Sequence, residues 1–249
     1  MNGYGRFILP AAVAFAALAY LVAAAAPPTD PPNGMHLHQF GKLPIIDKGS
    51  GRIKPIEAAA RQKLMLISGR QVFYDELNQE HSAMEWELDA LTSEKKPFHN
   101  PAVYEHRVFR IENDEVLKLL NLEPRPGSYR YSLAEIMGRW SEFLEADKPV
   151  EQKREADQKL DLYEQKLADL ADHIKVQLAL AEMDTPLLVN PADPTQSRAL
   201  GDVLASYQAR TETDKNAAPP AFLTMLLAYE RGDAETFNST LDAYQKQFE

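Results

Sequence analysis

The chain contains no cysteine. Disulfides, thiolate metal sites, thiol nucleophiles and covalent haem attachment through CxxCH are therefore excluded. The compartment is not fixed by this, since an exported protein can also dispense with thiols. Tryptophan is nearly absent, with only Trp86 and Trp140, far apart in the chain. Cations are the minority charge: 27 Lys and Arg against 37 Asp and Glu give a net charge of −10. With no basic stripe, nucleic acid is excluded as a partner. The signatures GxSxG, HExxH, DxDxDG, GxxxxGK[ST] and GxGxxG are all missing. Carboxylate neighbours such as Glu85/Glu87 or Asp75/Glu76 are those of any acidic surface, and catalysis would need two facing each other across a cleft. The expectation is a binding protein rather than an enzyme.

Long apolar runs are limited to one. Phe7 to Ala26 is twenty uncharged, almost wholly apolar residues between Arg6 and Pro27-Pro28. At about 1.5 Å per residue that length spans a hydrocarbon core. Arg6 before it and Asp30 after it place the N-terminus in the cytoplasm. A cleaved signal peptide is the alternative, with cleavage sites among Ala23–Ala26. The length favours an uncleaved inner-membrane anchor, and both readings place the bulk of the chain in the periplasm.

Residues 27–35, PPTDPPNGM, read as an extended Pro-rich linker. The stretch Phe40 to Arg70 follows, and its residues look individually chosen. Leu43–Ile46 predicts a short strand, and Asp47–Gly51 a glycine turn. Arg52 and Lys54 then flank Ile53 ahead of Pro55, which suits a first helical turn. Ile56 to Ser68 predicts a helix, with Gly69 as its C′ stop. Without a phosphate-loop motif, the plain reading of Arg52 and Lys54 is two solvated cations.

Further on, Ser82 and Glu85 form a capping box opening a helix over Ser82–Thr92, followed by a loop over Ser93–Pro101. Glu105–Glu112 reads as a short strand, and Asn113 or Asp114 caps the next helix. Tyr129–Tyr131 is extended, and a second capping box, Ser132/Glu135, opens a helix over Leu133–Ala146. Ile136, Trp140, Phe143 and Leu144 share its buried face. Val150 to about Glu182 reads as one long charged helix. Its seam of Leu160, Tyr163, Leu167, Leu170 and Ile174 belongs to a helical hairpin or coiled coil. Pro186 breaks it, Asn190–Pro194 is loop, and Ser197–Ala209 is helical. Ala221–Arg231 and Ala234–Phe248 predict a closing helical pair joined at Gly232-Asp233, like a single tetratricopeptide hairpin without a second copy.

Of six histidines, His36 and His38 stand two apart. On an extended segment both imidazoles would point the same way, towards a haem edge or a metal ion, although a bare HxH lacks a third ligand. His81, His99 and His106 fall in polar stretches and read as surface residues. His173 reads as half-buried packing on the long helix. No metal site is expected.

The run H-x-x-x-F-G-K-L-P-I-x-D-x-G-x-G-R-I-K-P-I-E, His36 to Glu57, resembles a segment of large CcsA-related cytochrome c-type biogenesis membrane proteins. These are haem-handling proteins of planctomycete and Bacteroidetes type. Ala60-Arg61, Ile67–Gln71, Phe109–Asn113 and Tyr129–Leu133 match the same region in order, so the resemblance covers about residues 36–145. It implies the extracytoplasmic domain that precedes the haem-handling part of that family. The family's tryptophan-rich haem segment and later membrane spans have no counterpart here, so its haem-site residues cannot be carried over. A separately encoded or truncated copy of that domain is implied, acting beside CcsA/ResB-type maturation subunits or apocytochrome c. Arg52, Lys54 and Arg70 are the candidate contacts to haem propionates or to an acidic partner surface, and His36 and His38 are the candidate haem ligands.

The expected fold is mainly α. It has an N-terminal membrane anchor (1–26), a Pro-rich linker (27–35), a small α+β unit with short strands and the GRIKP element (36–147), and a helical hairpin or bundle (148–249). The expected function is an accessory part of cytochrome c maturation. The alternative is a membrane-anchored periplasmic docking scaffold unrelated to haem, and a periplasmic hydrolase with a dispersed site is a remote third.

Overall fold

A computed structural model describes residues 5–24, 31, 33–48, 50–191 and 193–248. Helix α1 (Gly5–Ala24) carries Arg6 as its one charged residue. Its side chains are described over residues 10–21, and all are exposed. Among the described residues no helix is long and apolar enough to cross a membrane. The expected anchor, the cleavage sites and the Pro-rich linker each extend outside the described residues.

Packing begins at Met35, which is fully buried. Helix α2 (Leu37–Phe40) inserts Phe40 between Phe222 and Phe237, with ring centroids at 5.4 and 5.5 Å. Strand β1 (Pro44–Ile46) is the expected strand, started one residue later. Gly51, at φ +68°, donates its N–H to the Asp47 carbonyl and turns the chain; Gly49 lies outside the described residues. Strand β2 (Ile53–Pro55) returns antiparallel to β1, a hairpin that the mixed sequence RIKP did not announce.

Helix α3 (Ile56–Ser68) has its expected ends. Pro55 stands at the N-cap rather than in the first turn, and Gly69 closes the helix at φ +70°. Ile56, Ala59, Ala60, Leu64 and Ile67 recur every three or four residues and bury one face. A small ribbon follows, β3 (Val72–Tyr74) with β4 (Glu80–Ser82). The Ser82/Glu85 capping box then opens α4 (Ala83–Leu91). This helix is buried nearly all round, as a helix packed on several sides must be.

Where one strand was expected over Glu105–Glu112, the chain forms a single-turn helix, α5 (Ala102–Glu105), and a short strand, β5 (Phe109–Arg110). Asn113 caps α6 (Asp114–Leu119), and β6 (Arg130–Tyr131) pairs with β5. The second capping box opens α7 (Leu133–Met137), but Gly138 and Arg139 interrupt the predicted helix, and α8 (Trp140–Glu155) restarts it. The interruption rotates the face. Phe143 stays buried, Trp140 is half-buried and stacked on it, and Leu144 is exposed.

The long helix expected over Val150–Glu182 is also divided. Asp157 turns at φ +52°, and a third capping box, Asp161/Glu164, starts α9 (Leu162–Ala181). Helices α8 and α9 form an antiparallel hairpin stitched by Arg154–Asp172 at 2.9 Å and Lys175–Glu151 at 3.0 Å. Of the expected seam, Leu167, Leu170 and Ile174 are buried in the central core, whereas Leu160 and Tyr163 are half-buried against it. Beyond cis-Pro186, β7 (Leu187–Asn190) and β8 (Asp193–Ala199) replace the predicted loop and the start of the next helix. Helix α10 (Leu200–Thr213) begins three residues later than predicted. Helices α11 (Ala221–Glu230) and α12 (Ala234–Gln245) form the expected pair.

The architecture is α-rich with small β elements. Its largest sheet has the order β2-β1-β7-β8, so a strand near position 45 pairs with one near position 188. Leu43, Trp86, Leu170, Phe222 and Phe237 belong to one apolar core. Packing therefore runs unbroken across positions 147 and 148.

Candidate functional site: an arginine cluster at the end of helix α3

Three segments distant in sequence meet where α3 ends: Ser68–Arg70, Phe109–Arg110 and Arg130–Tyr131. Strands β5 and β6 bring the last two together in the register Phe109↔Tyr131 and Arg110↔Arg130. Phe109 and Tyr131 turn inward and are fully buried. Strand alternation then sends both arginines to the other face, as direct cross-strand neighbours. Like charges opposite each other destabilise a sheet, so the placement calls for compensating partners.

Gly69 lets the arginines close over the helix end. A Cβ at this position would lie 3.1 Å from Nη1 of Arg110 and 3.9 Å from Nη2 of Arg130. Arg130 donates from Nη2 to the Ser68 carbonyl at 2.5 Å and from Nη1 to the Ser128 carbonyl at 2.8 Å. Its Nε is buried without an acceptor among the described residues. The negative end of the α3 dipole accounts for one cation here; it does not call for three. Burial, and then the charges of Arg70 and Arg110, hold the Arg130 guanidinium below its ordinary pKa.

The partners of these cations differ. Arg110 is paired with Glu112, and the neighbouring Arg107 with Glu76 at 3.0 Å. Arg70 is exposed and lies 5.5 Å over the Tyr74 ring. Neither Arg70 nor Arg130 has a carboxylate partner among the described residues. A cleft of about 380 Å³ opens beside them, lined by Ser68, Arg70, Tyr74, Arg107, Ser128 and Arg130 and by the carboxylates Asp75 and Glu76, which are paired with His81 and Arg107. On the far side of Gly69 a groove of about 220 Å³ is lined by the apolar Leu66, Ile67, Ile111, Val116 and Leu170 and by two ion pairs, Arg110–Glu112 and Lys166–Asp169. Planar guanidinium groups so placed bind carboxylates by paired, charge-assisted hydrogen bonds.

Of the candidates read from sequence, only Arg70 belongs to this cluster. Arg52 and Lys54 precede α3, whose 13 residues span about 20 Å, so they sit at its opposite end. Lys54 is held by Gln62 at 2.7 Å and Asp47 at 3.3 Å, and Arg52 is exposed. Arg110 and Arg130 were missed. Their signal was the alternation around Phe109 and Tyr131, which becomes readable only once the two strands are paired.

His36 and His38 do not lie on an extended segment. His36 precedes α2 and donates its backbone N–H to Asn238 Oδ1 at 2.9 Å, whereas His38 is within the helix, with Nδ1 3.9 Å from Glu57 Oε2. The alternation that would aim both rings at one ligand is absent, and the pair does not fit a haem edge. Among the described residues no group of three His, Asp or Glu side chains could hold a metal ion.

His99 is exposed and His173 half-buried, as expected, but His81 and His106 are not free surface residues. They flank Phe73, with ring centroids at 5.0 and 4.4 Å. His106 Nε2 meets Asp89 Oδ2 at 2.7 Å, and His81 lies 3.2 Å from Glu85 and 3.4 Å from Asp75. No nucleophile stands beside either imidazole among these contacts, and the group locks β3, β4 and α4 together.

Among known proteins, no family model matches this chain and no curated sequence does.

Proposed function

We propose that this chain is an accessory, partner-binding component of cytochrome c maturation, held at the periplasmic face of the inner membrane by its N-terminal apolar run. One observation carries the reading. The segments that resemble the CcsA-related proteins, Ile67–Gln71, Phe109–Asn113 and Tyr129–Leu133, are scattered in sequence yet converge on the Arg70/Arg110/Arg130 surface. A resemblance confined to core residues would speak for a shared fold alone. Here it includes exposed or half-buried cations, of which Arg70 and Arg130 have no carboxylate partner among the described residues, as expected of a docking surface. Arg70, Arg110 and Arg130 take carboxylates of a maturation subunit or an apocytochrome, and no haem-ligating step is assigned to His36 or His38.

Deleting the gene in its source bacterium and staining membranes for covalently bound haem tests this reading. Loss of c-type cytochromes, restored by the wild-type chain but not by an Arg70→Glu/Arg110→Glu variant of equal abundance, supports it. Undiminished c-type cytochromes in the deletion strain would leave a docking scaffold unrelated to haem.

A further inference from the structure

The groove and the arginines together are more specific than a basic patch. The groove lies between the end of α3, the segment from β5 to α6, and α9. Leu66 lines it with 58% of its surface exposed, large for a leucine. Arg110 borders both the groove and the cluster, so an occupant of the groove lies against the cations.

Volume decides what fits. A cavity of about 150 Å³ accepts a benzene ring, whereas sites for drug-sized ligands occupy about 300–1,000 Å³. At about 220 Å³ the groove holds one aromatic or branched aliphatic side chain and is too small for a porphyrin. Charge decides the rest. The chain carries −10 overall, so an acidic partner is repelled by most of this surface and oriented towards the few places where cations converge. Arg70 and Arg130 are the cations there without an ion pair among the described residues, and each can take a carboxylate without losing one.

We infer that this surface binds an acidic peptide segment of a partner protein by one apolar anchor. The anchor side chain enters the Leu66/Ile111/Val116/Leu170 groove, and flanking Asp or Glu carboxylates engage Arg110, Arg130 and Arg70. The inference rests on the partner-binding part of the proposed function and names the chemistry of the partner.

Fluorescence anisotropy with the full-length chain in detergent tests it, using a labelled Glu-rich peptide with one central Phe. Saturable binding is expected. It weakens by about tenfold or more when that Phe is replaced by Ala, and by a similar factor in Leu66→Asp and in Arg70→Glu. Both positions are exposed, so circular dichroism should match the wild type, and melting should fall by no more than the small cost of an acid at a helix C-terminus. Equal binding of the Phe and Ala peptides, or wild-type affinity in both variants, overturns the anchor. Stronger binding of a free aromatic carboxylate than of the peptide would make the groove a small-molecule site and also overturns it. The deletion experiment above remains independent: peptide binding with intact cytochromes retires the maturation role and leaves the groove assignment standing.

Discussion

Asp89 and Tyr229, 140 residues apart, are joined by a 2.9 Å hydrogen bond from the phenol to carboxylate Oδ1 inside the fold. The same oxygen accepts from Asn100 Nδ2 at 2.9 Å, and Oδ2 meets His106. One carboxylate thereby ties α4 to α11, to the loop before α5 and to the segment after it. Burial, followed by the Asp89 charge, raises the Tyr229 pKa well above its ordinary value and keeps the donor protonated.

Tyr229→Phe is expected to remove one of three donors from a carboxylate whose side chain is only 12% exposed. A loss of about 1–3 kcal/mol in unfolding free energy follows, read from urea denaturation. A variant as stable as the wild type would mean that water replaces the phenol.

Glu87 is fully buried and paired with Lys63 at 2.8 Å. Lys63→Met should strand the carboxylate and cost about 3 kcal/mol, whereas adding Glu87→Leu should restore most of it, because an apolar pair needs no solvation. Denaturation midpoints of the two variants check this; equal midpoints would place Glu87 in contact with solvent.

Gly69→Ala puts a Cβ at φ +70° and 3.1 Å from the Arg110 guanidinium. The left-handed conformation alone costs about 1–2 kcal/mol, read as a lower melting temperature. Arg110 must also shift, so binding of the Glu-rich peptide should weaken; unchanged affinity would show that Arg110 reaches its ligand from elsewhere.

Stability should depend on pH through two histidines of opposite sign. At His81 burial lowers the pKa, but the hydrogen bonds and charges of Glu85 and Asp75 outweigh it, and the net shift is upward from 6.5. Its contribution is complete below pH 6.5 and is lost as pH rises through the folded value. At His173 burial lowers the pKa despite Asp169 and Asp172, so that contribution is present above 6.5 and lost as pH falls. His81→Gln should therefore flatten the decline above pH 6.5 and expose a rise in stability with increasing pH. Unfolding free energies between pH 5 and 8 check the sign.

Much of the helical framework was legible because its signals are local. Three Ser-or-Asp/Glu boxes close hydrogen bonds within four residues, and Gly69 and Gly232 stop helices by a conformation that only their own backbone needs. The Asp161/Glu164 box was in plain view but was masked by the apolar seam running on either side of it. Strands β7 and β8 left no comparable trace. Their hydrogen bonds go to β1 and to each other, distant or still unpaired in the sequence, and Pro194 argued for a loop.

What the sequence determined by itself was chemical class and local order: no thiol chemistry, no basic stripe, one apolar run, the ends of α3, α4 and α11, and the starts of α7 and α12. The tertiary structure alone decided where the cations meet. Arg70 was visible as a single charge, whereas Arg110 and Arg130 became its neighbours only through the β5–β6 register and the left-handed turn at Gly69. It likewise undid the His36/His38 pair by starting α2 between them. Local backbone preferences act within a few residues and are written there; a site assembled across sixty positions depends on which buried faces pack together, and no short segment specifies that.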